Sequence, residues 1–260
     1  MGTAGTQGAL WGAAAEDWAR LVEPLSTPLY EAALDAAGVG AGTALLDAGC
    51  GSGLVLELAQ QRGATVSGLD ASGGLLAVAR RRVPDGELRQ GELEELPFGD
   101  GSFDVVTAFN AVQYAAEPVQ AARELRRVTA PGGQVVVASW GVPDRCESRV
   151  VLAAVGSLLP PPPPGTGGPF ALAAPGRLEE LLEAAGLTAK HAEEVTVAFR
   201  FDDLDHAVLG HLSAGPSRRA VQEVGPEAVE QAIREALAAS LQPDGSSVQH
   251  NAFRFVVATV

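Results

Sequence analysis

Asp47, Gly49, Gly51 and Gly53 fall within one short stretch, LLDAGCGSG, residues 45–53. Glycines at alternate positions directly after an apolar run let a ligand touch backbone that side chains would otherwise cover. Where a helix follows, its first N–H groups add a preference for an anionic group. The carboxylate of Asp47 narrows the choice of ligand. A dinucleotide fingerprint reads G-x-G-x-x-G, whereas the spacing here is G-x-G-x-G and position 54 is Leu. Phosphates brought to this turn would meet Asp47 as a second negative charge, while an ammonium or sulfonium group would be attracted to it.

Other residues of chemical interest lie downstream. Asp70 ends VSGLD about twenty residues after the glycines, where a carboxylate can accept both hydroxyls of a ribose. Asp70 or Ser72 can equally cap the helix that follows. Glu92 with Leu93 offers a carboxylate and a backbone N–H to an adenine edge, and Leu93 and Ala71 offer apolar surface to its faces. Asn110 closes a later apolar run and is expected beside Gly49. Tyr114 and His206 are the candidate catalytic groups, drawn from a set that also holds His191, His211 and His250. His206 and His211 are five apart, on different faces of a helix, which argues against a metal pair. Asp202, Asp203 and Asp205 read as a helix start complementing its dipole. Cys50 and Cys146 are the only cysteines and have no zinc-ligand spacing, so no metal is expected. Trp11, Trp18, Tyr30 and Trp140 are the candidate substrate-lining aromatics.

The elements that must position these groups alternate in type. Short apolar runs at 44–46, 65–69, 103–108 and 134–139 predict strands. Helical periodicity at 54–62, 73–82 and 118–128 lies between them. Repeated strand–helix units with strands apolar on both faces imply a parallel sheet covered on both sides. Helical segments at 9–22 and 28–37 precede the first strand. Three arginines, 80–82, end one helix and read as solvated and favourable to its dipole. After Trp140 come a proline-rich loop at 158–170, a helix from about Pro175 to Gly186 and a strand ending at Phe201. Helices at 203–212 and 226–241, the turn QPDGSS and a final strand from Val248 complete the chain. The expected organisation is one domain over 1–260. It comprises an N-terminal helical lid (1–40), a cofactor-binding core (41–140), substrate-side loops and helices with the sixth strand (141–245) and the last strand (246–260).

These residues together resemble the class I S-adenosylmethionine-dependent methyltransferases, in particular the small-molecule branch with the ubiquinone/menaquinone-type enzymes. The resemblance rests on residues 45–53, on Gly68-Leu69-Asp70-Ala71-Ser72, and on Leu96-Pro97-Phe98 with Phe103-Asp104-Val105-Val106. Glu124-Leu125, Arg127-Val128 and Pro131-Gly132-Gly133 extend it. It implies an α/β, Rossmann-like seven-stranded, mostly parallel sheet with an antiparallel last strand and helices on both faces. By the same resemblance S-adenosylmethionine is the methyl donor and S-adenosylhomocysteine the product. Gly49 and Gly51 would approach the methionine moiety with Asp47 near its ammonium group. Asp70 would hold the ribose, and Glu92 with Leu93 would meet the adenine. Many relatives have Asp-Ala where this chain has Glu92-Leu93. The implied reaction is methyl transfer to oxygen, nitrogen or carbon of a small molecule, with a general base needed only where the nucleophile has a proton to lose. The alternative is a protein that binds the same cofactor but scaffolds a non-methylating reaction; a nicotinamide-dependent oxidoreductase stands third.

Composition bounds the partners. Eighteen Lys and Arg against 32 Asp and Glu give a net charge of -14, which repels a nucleic-acid backbone over most of the surface. No basic segment followed by an apolar run opens the chain, and no apolar stretch is long enough to span a bilayer. The reading is a cytoplasmic, bacterial-type biosynthetic enzyme, monomer or homodimer, with a small-molecule acceptor and no membrane insertion.

Overall fold

A computed structural model describes residues 2–161 and 167–260. Seven strands form one sheet: β1 (Ala44–Ala48), β2 (Thr65–Asp70), β3 (Glu87–Gln90), β4 (Phe103–Phe109), β5 (Thr129–Trp140), β6 (Thr188–Phe201) and β7 (Ser247–Thr259), in the order β3-β2-β1-β4-β5-β7-β6. β1 to β5 run parallel, and β7 is antiparallel to both of its neighbours. This is the Rossmann-like sheet expected from the sequence.

Alternation along the strands explains why the sheet needs cover on both sides. Leu45, Val105 and Val136 enter one apolar cluster, while Leu46, Val106 and Val135 enter another, and all six are buried. On the first face pack helices α2 (Thr27–Ala36) and α3 (Leu54–Gln61), through Leu29, Leu34, Val55 and Leu56. On the second face, α5 (Pro118–Val128) and α7 (Arg177–Ala184) contribute Leu125, Leu178 and Leu182. Between them in the chain lie α4 (Gly73–Arg82) and α6 (Arg149–Ser157). α8 (Leu204–Ser213), α9 (Gly215–Val224) and α10 (Pro226–Leu237) lie between β6 and β7. α6 and α9 belong to segments in which the periodicity gave no helix. The buried apolar side chains in them are few: Val151 and Val155, one turn apart on α6, and Ala220 on α9.

The N-terminal segment differs most from expectation. The single helix read over 9–22 is broken: α1 (Ala4–Gly12) starts earlier, and a three-residue helix, Ala15–Asp17, leads into a π-helical turn, Trp18–Val22. Ala14, with φ -142° and ψ 43°, makes the break. The bend brings Trp11 and Trp18 edge to face at 4.8 Å. Ala15 and Ala19 then pack on Leu75 and Val78 of α4. The proline-rich loop falls partly at residues 162–166, outside the described residues.

The 96–98 and 124–127 motifs prove to be one clamp. Arg127 donates to the carbonyls of Leu96 (2.8 Å) and Phe98 (2.9 Å) and pairs with Glu124, which accepts from the Leu96 N–H. Their work is to hold the loop before β4 against α5.

Candidate functional site

The parallel sheet reverses its strand order between β1 and β4, and ligands bind in such sheets beyond the carboxyl ends of the strands at that point. The glycine turn occupies this position. Gly49, Gly51 and Gly53 all have positive φ, and a Cβ on Gly49 would lie 2.4 Å from that of Ala111. Asn110, a non-glycine residue with positive φ (50°), directly follows β4 on the other side of the same crevice. The turn is fastened by its backbone: Gly49 and Cys50 donate to the Leu69 carbonyl, and Gly51 N–H donates to Asp70 Oδ2 at 2.9 Å. Asp70 Oδ1 receives the Ser72 N–H, and Ser72 itself caps α4 by accepting from Leu75 N. Ser72, not Asp70, is thus the cap.

Asp47 is 1% exposed. Register places it beside Thr107, whose hydroxyl donates to Oδ1 at 2.7 Å. Among the described residues no cationic side chain pairs with it. Burial, opposed by the Thr107 bond and reinforced by Glu23 and Asp70, pushes its carboxyl up to about 7. Asp70 is raised too, first by burial. The site therefore has a surplus of buried negative charge.

Glu23 was not legible in the sequence. Its carboxylate, 5% exposed, accepts from the backbone N–H and the hydroxyl of Ser52 and pairs with Arg82. Burial still raises its pKa. Arg82 also donates to the carbonyls of Ser52 and Ala19, both at 3.2 Å. The arginine read as a solvated helix end is instead the cation that ties the N-terminal segment to the glycine turn. Among the described residues, Arg81 is the one of that run with an exposed surface pair, to Glu16. No periodic signal links position 23 to positions 52 and 82; the pairing exists only once the segment folds across α4.

α1 lies over the far end of the same cavity. Its first N–H groups attract an acidic partner, and Glu92 supplies it: both carboxylate oxygens accept from Ala4 N, at 3.1 and 3.2 Å. Glu92 also lines the cavity, so its carboxylate is shared between the α1 N-terminus and the cavity wall. Thr3 donates to the Tyr114 carbonyl (2.8 Å), and a Cβ on Gly8 would lie 2.4 Å from the Ala71 carbonyl oxygen. Ala71 and Leu93 line this end.

The opposite end is an aromatic chamber. Trp11, Trp18, Tyr30, Tyr114 and Trp140 all line the one cavity with Asp47, Gly49, Gly51, Asp70 and Asn110. The structure adds Phe109, Phe199, Phe201 and Phe253, which the sequence gave no reason to single out. Tyr30 packs edge to face on Phe109 at 4.9 Å, and Trp140 touches Phe253 at 4.6 Å. Burial raises the phenols of Tyr30 and Tyr114 above their ordinary value. His206 is elsewhere: it sits in the first turn of α8, exposed, with Nδ1 3.0 Å from the capping Asp203 and outside the cavity lining. Its place in the helix-start turn turns it to solvent, while His211, at the other end of α8, lines the cavity.

With this geometry in view, residues 46–137 match the family model described as a methyltransferase domain. Residues 46–137 thus carry a methyltransferase domain. The demethylmenaquinone methyltransferase of Renibacterium salmoninarum is 41% identical over 110 residues, 42% of this chain and 46% of that protein. The malonyl-[acyl-carrier protein] O-methyltransferase of Serratia marcescens is 38% identical over 95 residues, 36% of this chain and 37% of that protein. The chain thus spans under half the length of either relative. A Bacillus halodurans protein of known crystal structure shares the fold at a TM-score of 0.60 and 18% identity, covering 88% of this chain and 97% of that one. The methyltransferase domain's cofactor fits the charge found here. S-adenosylmethionine brings an ammonium and a sulfonium to a cavity where Asp47, Asp70 and Glu23 face a single guanidinium, Arg82.

Proposed function

We propose that the whole chain is an S-adenosylmethionine-dependent methyltransferase whose acceptor is a small, mainly apolar molecule. The observation that carries this reading is one continuous cavity. It joins the buried carboxylate of Asp47 and the half-buried one of Asp70 to a chamber walled by Trp18, Trp140, Phe199, Phe201 and Phe253. Bound S-adenosylmethionine supplies a methyl group made electrophilic by positive sulfur. Asp47 would hold the ammonium group, Asp70 the ribose hydroxyls, and Leu93 with Ala71 the adenine faces. Trp11 and Trp18 would close over the site and keep it dry, Tyr30 and Trp140 would wall the acceptor, and Tyr114 and Asn110 would position groups beside the glycine turn. The protein's task in such a displacement is chiefly positioning and exclusion of water. The name of the Renibacterium salmoninarum relative supports a small, apolar acceptor. Both cysteines are buried and free, in keeping with a biosynthetic enzyme of a reducing cytoplasm. Among the described residues no helix is long and apolar enough to cross a membrane.

The test combines binding with product mass. S-adenosylhomocysteine should bind by calorimetry, and Asp70→Ala should weaken binding severely; near-wild-type affinity in that variant sinks the assignment. A panel of apolar acceptors with S-adenosylmethionine should then give a product heavier by one methyl group. Turnover without that gain would favour a non-methylating reaction on the same scaffold.

A further inference from the structure

His211 ends a directed chain of hydrogen bonds that reaches it from the buried backbone. The Ser148 N–H donates to Asn251 Oδ1 at 2.9 Å, which fixes the orientation of that amide. Asn251 Nδ2 must then be the donor to Ser148 Oγ, at 2.9 Å. The Ser148 hydroxyl passes its own hydrogen to Gln249 Oε1 at 3.1 Å. The same oxygen faces His211 Nε2 at 2.8 Å, so that nitrogen carries the ring proton. Ser148, Gln249 and Asn251 are all at most 1% exposed, and the alternation of β7 brings Gln249 and Asn251 to the same side. In the neutral ring Nδ1 is therefore a lone pair. Nδ1 has no hydrogen-bond partner among the described residues and is not sealed into the packing. The ring lies 5.9 Å from that of Phe201 and lines the aromatic chamber.

A buried amide network that leaves one lone pair unsatisfied on a residue of the aromatic chamber's wall favours a ligand with one donor. We propose that His211 Nδ1 receives the proton of the acceptor, and that the acceptor is an apolar, aromatic-sized molecule carrying a hydroxyl group. This rests on the methyltransferase reading. The acceptor O–H proton passes to Nδ1, leaving an imidazolium held by Gln249. An oxygen lone pair forms the bond to the methyl carbon, and the electrons of the broken carbon–sulfur bond stay on sulfur. Burial, opposed by the Gln249 bond, lowers the His211 pKa to about 4, which keeps the lone pair free at neutral pH. Such an imidazole is a weak base toward a resting hydroxyl. It suffices in the transition state, because the hydroxyl proton becomes strongly acidic as oxygen gains its new bond. His211 is then a catalytic residue, and Gln249, Ser148 and Asn251 are positioning residues.

The test needs no knowledge of the natural acceptor. Affinities of the full chain for 2-naphthol and for naphthalene are compared by fluorescence titration, in wild type and in His211→Phe, with S-adenosylhomocysteine binding followed on the same samples. Wild type should prefer the hydroxylated probe about tenfold, and His211→Phe should lose that preference while still binding naphthalene and S-adenosylhomocysteine within about threefold. Nitrogen-15 NMR of labelled histidine at pH 7 should show His211 protonated at Nε2, and Gln249→Leu should disturb that tautomer. An equal preference in wild type and variant, or a proton on Nδ1, overturns the proposal. Failure of wild type to bind S-adenosylhomocysteine overturns the methyltransferase reading instead. If His211→Phe loses S-adenosylhomocysteine binding as well, the variant His211→Leu, which also has no acceptor, replaces it, judged by the same two probes.

Discussion

At the scale of single residues the site is built at a cost in stability. Burial pushes the Asp47 carboxyl up to about 7, well above its value in an unfolded chain. The folded state therefore binds more protons than the unfolded state between about pH 4 and 7. This group's contribution to stability accordingly falls as pH rises through that window, the reverse of a salt-bridged carboxylate. Asp47→Asn keeps an oxygen for the Thr107 hydroxyl and removes the buried charge. The ligand-free variant should gain about 1–3 kcal/mol at pH 8, read by urea unfolding, while its affinity for S-adenosylhomocysteine should fall at least about tenfold. No gain in stability would mean that water or a movement of the turn already relieves the charge.

Helices and turns give predictions of another kind, because they meet at single buried contacts. Arg82 is the cation for Glu23, and Glu23 fastens the N-terminal segment to Ser52. Arg82→Met should leave a buried carboxylate unpaired and destabilise the protein by about 3 kcal/mol, measured by urea denaturation. The double variant Arg82→Met/Glu23→Gln should recover part of that loss, since the charge is then gone. α1 crosses the turn after β2 so closely that Gly8 has no room for a side chain: a Cβ would meet the Ala71 carbonyl. Gly8→Ala should push α1 outward, costing about 1–3 kcal/mol, and should expose residues 4–14 to limited proteolysis. Unchanged cleavage would show that α1 shifts along its axis without lifting.

For the whole molecule, the charge surplus links cofactor binding to pH. Asp47, Asp70 and Glu23 come from β1, β2 and the N-terminal segment, so they are assembled only in the folded protein. A ligand that binds the folded state alone stabilises it by about 2.7 kcal/mol at a hundredfold excess over Kd. If Asp47 holds the ammonium group as proposed, its ionised form is required, and the thermal shift given by S-adenosylhomocysteine should shrink as pH falls from 8 to 6. Binding at pH 6.5 should release protons, seen as a dependence of calorimetric heat on the buffer's ionisation enthalpy. A pH-independent shift would place the ammonium group away from Asp47.

What the sequence determined by itself was the half of the molecule governed by local pattern. The strand–helix alternation, the glycine turn with Asp47 and the strand-end Asp70 depend on periodicity and on backbone freedom, and each leaves a mark within a few neighbouring residues. The tertiary structure decided the rest, where the partners lie far apart in the chain. Arg82 looked solvated because nothing near it in sequence is Glu23. His206 and His211 stand in the same helix with the same chemistry, yet only His211 faces the cavity, because β7 brings Gln249 against one end of α8. Glu92 was read toward adenine and is held by Ala4, 88 positions away. Cofactor chemistry sits on a repeating scaffold and is written locally. Acceptor chemistry is written in contacts between segments that no spacing rule connects, and folding alone brings them together.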